Sequence, residues 1–361
     1  YSDGYTPTAF AGTFDGKGHT VTLTLDTIGQ SYVGFFGYVT GTVKNLTVDG
    51  SVKADSTGSN GIGHAAGVVA YLAGGTVKMC VNRASVTTDK CCYTAGIVGG
   101  SENGKIKNCR NTGEISSTYE STGGHAAGIA NEAESVTQCW NEGDIELKTV
   151  KGKSANSRVA GVATGAPVLN SANFGKVSGP TWAETGVSIG GVGTTAVSNS
   201  YNLGTVTGAA GKTYNISGGT VVNSYYADIA GKTGIYVKDS AGITDADKSQ
   251  SITITEVDGK KAYKVGNVEL VDVLNGACKN ISGALEWINK QEAPNNPVHI
   301  TRWDGSFEPG VKGVITLVYD PNGGEGAAVT EQQRVEGDTD GSFTIKSDTE
   351  LGLSLIHISE P

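Results

Sequence analysis

The chain has 361 residues, of which 54 are glycine and 7% are aromatic, with a formal net charge of −9 and a pI of about 5.1. Such an acidic balance lacks the basic stripe that neutralises phosphates, which excludes nucleic acid as a partner, and no apolar run reaches the ~20 residues of a membrane-spanning helix. Glycine at about twice its usual share, with few aromatics, suits many tight turns around a narrow core.

Tyr1 is no initiator, and residues 353–361 resemble the translation of a sequencing-library adaptor. Those residues are set aside, and both ends are expected to be truncations of a longer reading frame. Residues 9–25 open on a glycine-rich turn and then alternate Val21, Leu23 and Leu25 with threonines, which predicts a strand with one buried face. Two more strands are expected at 33–39 and 43–48. The stretches FAGTFDGKGH at 10–19, GFFG at 34–37 and VKNL at 43–46 resemble the opening coils of the GLUG-type β-helix proteins of bacterial cell surfaces. That family includes large secreted proteins, among them the stalk of IgA peptidases.

Downstream, one ten-residue pattern recurs: Val or Ile, two residues, Cys or Ser, one residue, Asn, one residue, Gly, one residue, Val or Ile. It occupies 106–115, 136–145, 168–177 and 197–206, with a degenerate copy at 77–86 where Ala84 replaces the glycine. Successive copies are 29, 30, 32 and 29 residues apart, the signature of a repeat architecture. A period of about 30 residues built from short, β-branched, glycine-punctuated runs predicts coils of short strands. The fold expected is all-β: a right-handed parallel β-helix over 1–260.

Within the repeat, Cys80, Cys109 and Cys139 share one slot with Ser171 and Ser200, and are expected to point inward as thiols. Side chains of in-register parallel strands lie about 4.8 Å apart but point the same way, which is poor geometry for a disulfide. No CxxC pair occurs, and adjacent Cys91 and Cys92 point oppositely in a strand, so no metal site is assigned. Asn82, Asn111, Asn141, Asn173 and Asn202 are expected to stack, each amide bonding the next rung. A small-residue strand opens each coil, with Gly67, Gly96, Gly128 and Gly161 read as letting the chain turn sharply. Polar loops are expected at 116–123 and 148–157.

After a weak last coil at 218–225, helical apolar spacing appears at 268–274 and 281–288. A C-terminal cap at 261–312 is expected, because a last coil exposes apolar side chains and unpaired strand edges. Leu274, Asn275, Trp287, Pro297 and Trp303 resemble the closing segment of the same family. From 313 to 352 the chain carries YDPNGG at 319–324, which resembles the core of the Listeria–Bacteroides repeat, a small β-grasp-like module of surface proteins.

Motifs for chemistry are sparse. HExxH, the P-loop and dinucleotide fingerprints are all missing from the sequence, and Glu114, Asp144 and Lys176 alternate in sign in one slot as a solvated face does. Asp15 and His19 lie close to the start of the chain. One row stands out: three residues before the coil glycines are His64, Tyr93, His125 and Arg158, a polar-aromatic stripe suited to a sugar or a partner loop. Its two histidines are two rungs, about 9–10 Å, apart, too far to share a metal. The expected function is a non-enzymatic, monomeric, extracellular surface fragment, an adhesin or stalk that needs no cofactor and meets a glycan or cell-surface protein. The alternatives are a carbohydrate-active β-helix enzyme and a passive cell-wall repeat.

Overall fold

The computed structural model describes residues 8–55, 63–227, 251–257, 260–279, 287–289, 298–300, 314–319, 329–334 and 342–345. They form a parallel β-solenoid, with Leu270–Cys278 (α1) the one helix among the described residues. A representative coil runs through Tyr93–Ala95, Val98–Glu102, Lys105–Lys107, Arg110–Asn111 and Ile115–Thr118 before His125–Ala127 opens the next. Each strand pairs in parallel with its counterparts one coil away. Tyr93 lies opposite His64 and His125, Ile106 opposite Val77 and Val136, and Asn111 opposite Asn82 and Asn141.

Corners explain why strands this short suffice. Asn45, Met79, Asn108, Gln138, Asn170, Asn199 and Asn223, one per coil, all adopt φ between 45° and 57°. Asparagine dominates that column because its short polar side chain tolerates the left-handed region better than other L-residues. The corner turns the next residue inward; after Asn45 that residue is Leu46, and from Met79 onward it is a Cys or Ser. Cys109 N donates to Cys139 Sγ at 3.3 Å, Cys139 N to Ser171 Oγ at 3.1 Å, and Ser171 N to Ser200 Oγ at 3.0 Å. Thiol and hydroxyl thus fill the same acceptor position, and all six cysteines are buried thiols outside any disulfide.

The asparagine ladder forms as expected. Nδ2 of Asn82, Asn111, Asn141 and Asn173 donates to Oδ1 of the next rung's asparagine at 2.7–2.8 Å, and also to a backbone carbonyl two residues on. The coil glycines have a different purpose from the one expected. Gly67, Gly96, Gly128 and Gly161 have no positive φ, and a Cβ on any of them would collide with the Asn82, Asn111, Asn141 or Asn173 side chain. They are glycine so that the ladder can lie against the opposite wall.

A near-constant period conceals compensating changes. The path from Val69 to Val77 advances eight residues but that from Gly193 to Val197 four, while the loop side varies, advancing seven residues from Val86 to Tyr93, 13 from Ile145 to Arg158 and 11 from Val177 to Ser188. Residues 116–118 and Lys148, expected in loops, instead extend the strands Ile115–Thr118 and Ile145–Lys148, because Ser117 and Leu147 turn inward and are buried.

Beyond the repeat, Ser251–Val257 pairs in parallel with Tyr225–Ala227, and Lys260–Val265 and Val268–Glu269 follow antiparallel. Helix α1 then lies along a flank of the solenoid. Leu270, Leu274 and Cys278 share an apolar cluster with Trp140, Ala172, Tyr201, Tyr225 and Trp287. Asn275 holds the Trp287 backbone from both sides, accepting from its N–H at 2.7 Å and donating to its carbonyl at 2.9 Å. The helix expected at 281–288 fails at its end, where Trp287–Asn289 is a strand antiparallel to the β-branched Val298–Ile300. Residues 280–286, Pro297, Trp303 and the segment 320–324 lie outside the described residues. Val314–Tyr319 pairs antiparallel with Val329–Arg334.

Candidate functional site

Strand pairing places His64, Tyr93, His125 and Arg158 on successive rungs, with Tyr32 before them and Ser188 after. Across the glycine corner, Tyr38, Tyr71 and Gly100 form a second row on the adjoining sheet. The two rows pack into the angle between the sheets. His64 is 6% exposed and His125 5%, while Tyr93 and Arg158 are half-buried.

Ring faces are used along the solenoid axis. Tyr32 and His64 stack at 5.4 Å and 2°, His64 and Tyr93 at 4.8 Å and 3°, and Tyr93 meets His125 edge-on at 4.8 Å and 74°. Tyr71 adds an edge contact to His64 at 4.8 Å. An imidazole covered in this way offers no face to a sugar, so the accessible part of the row is Tyr93 and Arg158. Gly100 belongs to the same packing, because a Cβ there would strike the His64 ring.

Electrostatics follow from burial. Desolvation, then the charge of His125, brings His64 down to about 3, and its Nδ1 is buried without a hydrogen-bond partner. His125 also falls to about 3 through burial and then the Arg158 charge, against a hydrogen bond to the Asn156 backbone. Burial, then Cys92 and Glu132, raises the Tyr93 phenol.

Glu132 completes the group and was not singled out in the sequence. Its carboxylate lies 3.8 Å from His125 Nδ1, and the Thr164 hydroxyl is 3.5 Å from the same nitrogen. With the imidazole held neutral, this contact is no ion pair. Glu132 occupies a left-handed corner at φ 57°, where the path to the next strand shortens, so repeat spacing gave no sign of it. Tyr93, His125, Glu132 and Arg158 therefore form one cluster whose imidazole is neutral and whose phenol is protonated at pH 7. It can donate and accept hydrogen bonds, but neither His125 nor Tyr93 is poised to exchange a proton near neutrality.

The other residues singled out have structural settings. Burial works against the Asp15 carboxylate, but Asn45, Lys44 and Lys17 N–H donors hold it below the usual range, with Lys44 Nζ at 2.9 Å. Cys91 and Cys92 donate to carbonyls on different neighbours, Ala54 and Gly123. Glu114, Asp144 and Lys176 are all exposed. A scan against models of protein families, a search of curated proteins and a search of solved structures each returned no match.

Proposed function

We propose that this chain is a segment of an extracellular bacterial surface protein of the GLUG β-helix type, acting as a rigid stalk or adhesin that presents or binds a ligand without catalysing a reaction. The observation that carries this reading is where the polar side chains are used. The asparagine ladder, the Cys/Ser ladder and the stacked row all join one coil to the next, which stiffens the solenoid along its axis. Buried thiols fit an oxidising exterior, since burial raises Cys80 and Cys109 well above the usual thiol range and brings Cys92 to about 11, leaving little thiolate to react. The segment from 313 to 352 is read as the start of a further surface module of Listeria–Bacteroides type.

One observation favours a carbohydrate-active enzyme instead: Tyr93, His125, Glu132 and Arg158 are gathered at one place. Against it, His125 at about 3 is too weak a base to work near pH 7. The test is incubation of the full chain with a panel of acidic and neutral polysaccharides, read by mass spectrometry. The stalk reading predicts no released oligosaccharide; release that disappears in His125→Gln would replace it with the enzyme reading. A ligand held at this row would touch Tyr93 and Arg158, so Tyr93→Phe with Arg158→Gln, which spares the ring stack, should remove its retention.

A further inference from the structure

The lengthened loops carry a second feature. Gly152 N and Ser154 N donate to the two oxygens of Glu184 at 2.6 and 2.9 Å, and Asn156 N donates to Thr185 O at 2.8 Å. On the other side, Gly123 N donates to Ala155 O at 2.8 Å. Loops of three successive coils are thereby knitted into one block. Such a block presents what it carries with little ordering cost on binding.

What it carries is an exposed tryptophan beside cations. Trp182 is 39% exposed, whereas Trp140 is 4% and Trp287 3% exposed. Lys151 Nζ lies 5.4 Å from the centroid of the Trp182 ring system, and Val150 beside it in the chain is 45% exposed. Lys151 and Lys153 are exposed, and among the described residues neither has a carboxylate within ion-pairing distance. Of the acids on these loops, Glu184 is occupied by backbone N–H groups, and Glu120 stands exposed on the first loop with neither Lys151 nor Lys153 within ion-pairing distance. On a chain of net charge −9, Lys151 and Lys153 set two unpaired ammonium groups on the same loop beside an exposed indole.

We propose that Trp182, Lys151 and Lys153 form a binding platform for an acidic polysaccharide, with the indole stacking on a sugar ring and the lysines pairing with uronate carboxylates. The proposal deepens the adhesin reading and rests on it. A protein partner fits less well, because a standard interface covers roughly 800 Å² per partner and some 20–30 residues, whereas one indole and two ammonium groups match one or two sugar units. A polymer adds affinity by repetition, and the lysines make binding depend on salt.

Affinity electrophoresis of the full chain in native gels tests this, with polygalacturonate, hyaluronate or alginate in the gel, and dextran and poly-glutamate as controls. At least one uronate polymer should retard the parent, and dextran should not. Trp182→Ala should weaken retardation at least tenfold with the melting temperature unchanged, Trp182→Phe should keep most of it, and Lys151→Gln with Lys153→Gln should lower both its strength and its salt dependence. Retardation by none of the three uronate polymers, by poly-glutamate alone, or undiminished in Trp182→Ala overturns the proposal. Retardation that survives Trp182→Ala but is lost in Tyr93→Phe with Arg158→Gln moves binding to the stacked row and leaves the adhesin reading standing. Oligosaccharide release during the run would instead overturn the non-enzymatic reading itself.

Discussion

Single positions in this chain obey column rules more than local propensity. The Cys109 slot needs a side chain that accepts from the previous rung and donates to a carbonyl, which Ser171 does with its hydroxyl. Cys109→Ser should therefore cost about 1 kcal/mol or less, while Val136→Asp, a carboxylate in an apolar column with no partner, should cost about 3–5 kcal/mol. Chemical denaturation of both variants checks this, and equal losses would show the register to be wrong. The left-handed column gives a gain. Met79 has φ 53° where Asn45 and Asn108 precede and follow it, so Met79→Asn should stabilise by about 0.5–1 kcal/mol. Both inward columns were legible in the sequence, because burial demands regular side-chain chemistry at a regular period. The reason for Gly67 and its counterparts was not, since it depends on which asparagine faces it across the interior.

Among elements, the row from Tyr32 to Arg158 has a stability that depends on pH. His64 and His125 have folded values near 3 against about 6.5 unfolded, so the unfolded chain binds more protons throughout that interval. Their contribution is complete above pH 6.5 and is lost progressively as pH falls toward 3, about 2–3 kcal/mol per histidine at two units below 6.5. Melting temperature measured from pH 7.5 to 4.5 should fall, and His64→Phe should flatten that fall; a parent curve without slope would mean the imidazoles are solvated. The alignment of this row was readable from spacing alone. Its burial was not, because that comes from Tyr38, Tyr71 and Gly100 on the neighbouring sheet, whose offset from the repeat no motif marks. Helix α1 has a similar history. Its apolar spacing was visible, but its place along the flank depends on Trp140 and Tyr201, outward positions of the coils.

At the scale of the molecule, the ladders, the stacked row and the flank helix all oppose bending or separation of the coils. In a solenoid each coil contacts only its neighbours, so rigidity along the axis is the product of rung-to-rung terms. A stalk requires those terms to be strong enough that coils do not open one at a time. Hydrogen exchange of the full chain at pH 7, followed by mass spectrometry, measures this directly. The strands from Thr42–Lys44 through Val221–Val222 should exchange as one cooperative block with a common opening free energy. Exchange coil by coil, with the asparagine-ladder peptides no better protected than the loops at 149–157, would contradict the account.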